Sequence, residues 1–97
     1  MKLRVKYSAA ARKDIAAIKN WTFQNFGSAQ AKNYVRQIER VMILIAENPG
    51  LAKDASEINP GLSRTLAGSH IVCFRIADEG VNVVRVLHAR MDPLRWI

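Results

Sequence analysis

The hydrophobic positions of the chain change period twice. Leu3, Val5 and Tyr7 alternate with Lys2, Arg4 and Lys6, which predicts a strand with one wet face. From Ala9 to Phe26 the spacing becomes helical, with Ala11, Ile15, Ile18, Thr22 and Phe26 on one stripe at about 100° per residue. Ser8 is placed to cap that helix, because its hydroxyl can accept from an amide left unpaired in the first turn. Gly27 can take the left-handed conformation that ends it, and Ser28 can cap the next. A second helix is predicted from about Ala29 to Glu47. Its inward stripe is Ala31, Tyr34, Val35, Ile38, Met42 and Ile45, its wet face carries Lys32, Arg36, Glu39 and Arg40, and Asn48-Pro49-Gly50 stops it. With only Gly27 and Ser28 between them, the two helices should fold back as an antiparallel hairpin.

Leu51 to Gly61 reads as loop, punctuated by Pro49-Gly50 and Pro60-Gly61. Period-two patterning then returns in Leu62–Leu66, His70–Ile76 and Val81–His88. The last two are joined by Asp78-Glu79-Gly80, where the glycine supplies a positive φ. Pro93 keeps the tail from extending the last strand far. The expected architecture is α+β: an N-terminal strand, an antiparallel helical hairpin, then a three-stranded antiparallel meander, giving a sheet of about four strands with the hairpin on one face. The whole of residues 1–97 reads as one domain.

Some apolar residues lie off both inward stripes. Trp21 and Phe23 flank the stripe of the first helix, and Ile43 and Leu44 point away from that of the second. A helix apolar on more than one side needs cover beyond its own sheet, so these four are candidates for a partner's groove. Singly exposed hydrophobes are the alternative reading. Composition adds charge to that picture. Fifteen Lys and Arg against eight acids give a net charge of +7, which points to an acidic partner, nucleic acid or a nucleic-acid enzyme. The single cysteine, Cys73, lies in an apolar run and reads as a small buried hydrophobe, which rules out an internal disulfide. Two histidines without matching carboxylate spacing fall short of a metal ligand set, and no glycine-rich phosphate loop is present, so no cofactor is expected. No stretch reaches the roughly 20 apolar residues of a membrane span, and no signal-peptide core is visible, which predicts a cytoplasmic location.

Three stretches resemble a known superfamily. Val5 through Ile15 is similar to the strand-to-helix junction of RelE/ParE toxins, and Gly27-Ser28-Ala29-Gln30-Ala31 through Tyr34 to the start of their second helix. Gly68 through Ile76, followed by Val84-Arg85-Val86-Leu87-His88-Ala89-Arg90-Met91-Asp92, resembles ParE proteins in particular. The resemblance implies a type II toxin that poisons DNA gyrase by binding and is neutralised by a ParD-like antitoxin. The flexible, usually acidic carboxyl-terminal segment of such an antitoxin folds over the toxin, a mode that lets a short chain cover a large surface. On that basis Trp21, Phe23, Ile43, Leu44, Arg64 and Arg75 are candidates for antitoxin contact. The closing strand and tail are associated with toxicity in such proteins, which points to Arg85, His88, Arg90, Met91, Asp92, Arg95 and Trp96. Arg and Trp are also residue types enriched at binding hot spots. Trp96 and Ile97 could equally fold back to cap a sheet edge or core end.

The RelE side of the same superfamily implies a different activity, ribosome-dependent cleavage of messenger RNA. Such chemistry needs cations at the phosphoryl group and an acid/base pair. Arg64, Arg75 and Arg85 could bind phosphate and His88 could move a proton. Ile71 and Ala89, however, stand where such enzymes place an arginine and an aromatic. A non-enzymatic toxin is therefore the expectation. Nothing resembles a helix-turn-helix, so sequence-specific DNA binding by this chain alone is not expected.

Overall fold

The computed structural model describes residues 4–97. Lys2 and Leu3 of the expected first strand lie outside the described residues. Strand β1 (Arg4–Tyr7) leads into helix α1 (Ala9–Phe26), and α2 (Ser28–Glu47) returns antiparallel to it. A single 3-10 turn (Pro49–Leu51) and a two-residue strand β2 (Lys53–Asp54) follow. Strands β3 (Ser63–Ala67), β4 (His70–Ala77) and β5 (Gly80–His88) form the meander, and one turn of helix, α3 (Pro93–Trp96), closes the chain.

The α+β class, the hairpin and the meander stand as expected. Ser8 caps α1, its hydroxyl accepting from the Ala11 amide at 3.0 Å. Ser28 does not cap α2. The whole interhelical turn is Gly27, at φ 89°, so Ser28 is already helical and the glycine sits at the N-cap position. The sheet has five strands rather than four, in the order β1-β5-β4-β3-β2, and it is mixed. β1 pairs parallel with β5, Arg4 opposite Gly80 and Tyr7 opposite Val83. The helical hairpin and the strands β2 to β4 all lie between them in the chain and supply the long connection that a parallel pairing needs. The extra strand, β2, comes from the segment read as loop and pairs only Lys53 with Arg64 and Asp54 with Ser63. Two residues are too short to carry a period.

The helices cover one face of the sheet. Ile38, Met42, Ile45 and Ala46 of α2 and Ala11 of α1 pack on Val72, Phe74, Val81, Val83 and Val86. Phe74 is the largest side chain with no exposure, and burying a group of that size contributes about 1.5–3 kcal/mol. Tyr7 packs against this core, and burial, reinforced by the charge of Glu39, pushes its phenol up to about 12. The opposite face is covered by the supposed loop. Ala55, Leu62 and Cys73 are buried there, with Ile58, Ile71, Val84 and the final residue, Ile97, packed against them. Cys73 is thus the buried, unpaired thiol that its apolar neighbours predicted. Arg75 holds the covering segment in place, donating to the Pro60 carbonyl at 2.6 Å and to Asn59 Oδ1 at 2.7 Å.

One inward assignment fails. Phe26, expected on the core stripe of α1, is 66% exposed and lies edge-to-face on Trp21, ring centroids 5.9 Å apart. The stripe is core at Ala11, but towards the interhelical turn the sheet no longer meets the helices, and the same stripe becomes the wall of an open groove. No helix among the described residues is long and apolar enough to cross a membrane.

Candidate functional site: a groove between the hairpin and the ends of β4 and β5

The groove encloses about 670 Å³. Ile18, Trp21, Thr22 and Phe26 of α1 form one wall, Gln30 and Tyr34 of α2 form the other, and His70, Val86, Leu87, His88 and Met91 form the floor and rim. Most of that surface is carbon. Its polar groups are few, and most are already hydrogen-bonded.

Asp14 anchors one end. It sits three residues after Ala11 and four before Ile18, on the inward side of α1, and reaches the edge of β5. There it accepts from Arg85 Nε at 2.7 Å, Arg85 Nη2 at 2.9 Å and the Val86 amide at 2.9 Å. The pair is mostly out of solvent, with side-chain exposures of 22% for Arg85 and 15% for Asp14. The hydrogen bonds it donates to Asp14 hold the guanidinium above its ordinary range, against the opposing pull of burial. Arg85 Nη1 donates onward to the Trp96 carbonyl at 2.8 Å, so one side chain ties α1, β5 and α3 together.

The other end is a chain of three rings. Tyr34 Oη lies 2.6 Å from His70 Nδ1, accepts from the Ser69 amide at 2.9 Å, and is 3.4 Å from the Ala67 carbonyl. Tyr34 Oη and His70 Nδ1 thus share one short hydrogen bond, and the phenol oxygen is tied to both ends of the β3–β4 turn. His70 and His88 are directly opposite across β4 and β5, with ring centroids 5.3 Å apart. His88 Nδ1 accepts from the Arg90 amide at 3.1 Å. Both imidazoles are therefore held in place by bonds at Nδ1. No group of three or more His, Cys, Asp and Glu among the described residues is arranged to hold a metal ion.

Burial, and secondarily the charge His88 would carry, lower the pKa of His70 from its usual 6.5. The folded chain then takes up this proton at lower pH than the unfolded chain does. Its contribution to stability is complete above about 6.5 and declines as pH falls below that value. The denaturant midpoint is expected to fall between about pH 7 and pH 5. His70→Asn, which keeps an acceptor for Tyr34, should flatten that fall; an equally steep decline in the variant would assign it elsewhere.

The residues singled out from sequence separate into several places. Trp21, His88 and Met91 meet at the groove. Phe23, Ile43 and Leu44 are half exposed but lie outside it, so the apolar surface of the hairpin is more than one patch. Arg64 borders a smaller hollow beside Lys53 and Leu66 at the other side of the sheet. Arg75 is engaged by the covering segment and Arg85 by Asp14. Asp92 caps α3, accepting from the Leu94 amide at 3.1 Å, while Arg90 and Arg95 are exposed. The tail divides the two readings given for it: Ile97 packs into the second core and Trp96 is half exposed. Sequence reasoning missed Asp14, Tyr34 and Ser69 as parts of one constellation. An acid and a hydroxyl on otherwise apolar inward stripes were the available signal, because polar groups at such positions need partners.

This architecture defines the class. The fold matches a solved chain described as the chromosomal ParDE TA system from P. aeruginosa, with TM-score 0.74 over 90% of this chain and 96% of that one, at 16% identity. It also matches the YoeB-YefM complex from Staphylococcus aureus, with TM-score 0.61 over 91% and 98% of the two chains, at 18% identity. The fold is thus one found in toxin–antitoxin assemblies. Residues 5–93 match the family described as ParE toxin of type II toxin-antitoxin system, parDE. Toxin ParE1 of Mycobacterium tuberculosis is 38% identical over 93 residues, 95% of each chain, and Toxin ParE1 of Caulobacter vibrioides is 32% identical over 87, 90% of each. Toxin ParE of Escherichia coli is 35% identical over 86 residues, 88% of this chain and 84% of that protein. The chain belongs to the ParE family of type II toxins.

Proposed function

We propose that this ParE toxin acts by binding DNA gyrase and not by catalysis, and that a ParD-like antitoxin neutralises it by covering the hairpin and groove. The observation that carries the first part is that Arg85, Arg75 and both histidines are already engaged in hydrogen bonds, while Arg64, the remaining candidate cation, borders a separate hollow away from the groove. Arg85 is bonded to Asp14 and the Trp96 carbonyl, Arg75 to Pro60 and Asn59, and both imidazoles are hydrogen-bonded at Nδ1. A nuclease needs such groups free to meet a phosphate and pass a proton. The second part is supported by the large apolar side chains left in solvent, Trp21, Phe23, Phe26, Ile43 and Leu44, on a chain of charge +7. An acidic antitoxin segment with apolar residues would satisfy both features.

Purified toxin incubated with gyrase and supercoiled plasmid should accumulate linear, cleaved plasmid, and ribosomes supplied with message should leave it intact. Cleaved message with untouched plasmid would instead establish a nuclease. For the antitoxin, Trp21→Ala should weaken binding about 30-fold, as expected for a hot-spot tryptophan worth about 2 kcal/mol, with thermal stability little changed. Wild-type affinity in that variant would place the antitoxin elsewhere.

A further inference from the structure

Strand β5 runs from Gly80 to His88, but β1 pairs only with Gly80 through Val83. Ser8 extends the cover slightly, its amide donating to the Val83 carbonyl at 2.9 Å and its hydroxyl to the Val84 carbonyl at 2.7 Å. Beyond that point α1 leaves the sheet and β5 becomes an edge. The direction of its backbone groups follows from its other neighbour. The Ala89 amide donates to the Ser69 carbonyl at 2.9 Å, and this bond brackets the His70–His88 pair. In an antiparallel ladder that marks His70 and His88 as a wide pair, whose own amides and carbonyls point away from each other. Val72 and Val86, two residues along, have the same parity. The backbone groups of Val86 and His88 therefore face outward from the sheet edge.

Two of these four groups are occupied. The Val86 amide donates to Asp14, and the His88 carbonyl accepts from the Met91 amide at 2.8 Å. The Val86 carbonyl and the His88 amide have no partner among the described residues, and both residues border the groove. An antiparallel strand would exchange two bonds with one residue, either Val86 or His88, and at each of them one group is already taken. A parallel strand needs a different set. The residue opposite Leu87 would donate to the Val86 carbonyl and accept from the His88 amide. The two open groups are that set, and β1 already pairs with β5 in the parallel sense.

We propose that the Val86–His88 edge docks one extended polypeptide segment, parallel to β5, from an acidic protein partner. The segment's residue opposite Leu87 shares the face of Leu87. Its neighbours on either side turn towards Ile18, Trp21 and Met91 in the groove and are therefore apolar. The net charge of +7 selects an acidic chain. Main-chain bonds at an exposed edge give affinity, and the groove gives specificity. The proposal rests on the reading that a polypeptide antitoxin covers this side of the toxin, and it adds the strand, its direction and its register.

The test separates the backbone of His88 from its side chain. His88→Ala keeps the N–H and His88→Pro removes it, at an edge position where proline costs no ladder bond to β4. Binding of each variant to the co-expressed antitoxin is measured by calorimetry. In wild-type toxin, exchange of the His88 and Val86 amides is followed with and without antitoxin. The proline variant should bind about 10- to 100-fold more weakly than the alanine variant, the effect of one hydrogen bond lost where its partner stays desolvated. The His88 amide should exchange at least about tenfold more slowly in the complex, and the Val86 amide, already held by Asp14, should gain little. If the proline variant does not fold, or if affinity and exchange disagree, the exchange result decides. A wild-type toxin that binds antitoxin while His88 exchange is unchanged removes the docked strand alone. A wild-type toxin that binds no antitoxin removes the antitoxin reading, and the strand with it.

Discussion

Replacing Gly80 with alanine is expected to destabilise the toxin by about 3–5 kcal/mol, seen as a fall in Tm of roughly 15–30 °C. Gly80 has φ 141° and ends the turn between β4 and β5, a conformation that residues with a Cβ rarely adopt. The turn is only half of the effect. β1 lies directly against this residue, Arg4 opposite Gly80, with the Arg4 amide bonded to the Glu79 carbonyl at 2.8 Å. A Cβ at Gly80 would land on the Arg4 carbonyl oxygen, with the rest of that peptide group behind it, and backbone cannot rotate away as a side chain can. Either β1 leaves its seat, taking Val5 and Tyr7 off the core, or the turn refolds. Domains of this kind hold about 5–15 kcal/mol in total, so the variant should be near its limit at 37 °C. Gly50→Ala is the control, because nothing lies within reach of a Cβ there and Tm should hardly move. A loss at Gly80 under about 5 °C would show that β1 is not fixed by this contact.

The second large effect is expected at Asp14. Asp14→Ala removes the acceptor of three bonds at once and leaves Arg85 mostly buried without its counter-charge, together with an unpaired Val86 amide. Breaking a fully buried pair by deleting one member costs about 3–5 kcal/mol; the remaining exposure of both side chains lowers this to about 2–4 kcal/mol. Equilibrium unfolding in denaturant measures it. Replacing both residues by leucine should recover most of the loss, because the cost arises from the stranded charge and not from the absence of a favourable pair. Equal destabilisation in the single and double variants would mean that the geometry of the pair, and not charge compensation, supports this corner. The same variant bears on function. Arg85 also holds the Trp96 carbonyl, so the exposed Trp96 ring is positioned through Asp14 although the two residues are far apart in sequence.

These two positions differ in how visible they are in the sequence. Gly80 is legible as a turn residue because Asp-Glu-Gly between two alternating runs is a local signal. Its contact with Arg4 is not, since it depends on which strand returns beside β5. Asp14 sits on a helical stripe at a spacing that faces it inward, so the need for a partner could be read but not the partner's identity, 71 residues away. Phe26 shows the limit of periodicity. Its spacing is as regular as that of Ala11, yet it lines an open groove, because period reports which side of a helix faces the protein and not how far the protein extends on that side.

The sequence by itself determined the element types, the hairpin and the meander, because helix and strand periods, caps and turn residues are local properties of neighbouring side chains. It also determined that the chain is basic and that its hairpin carries more apolar surface than one sheet face can cover. Only the tertiary structure decided that β1 returns parallel to β5 and that the segment after Pro49 covers the second face of the sheet. It alone joined Asp14 to Arg85, Tyr34 to His70, and left the far end of β5 an edge. Each of these depends on residues brought together from distant parts of the chain, through packing and hydrogen bonds whose partners no local pattern specifies.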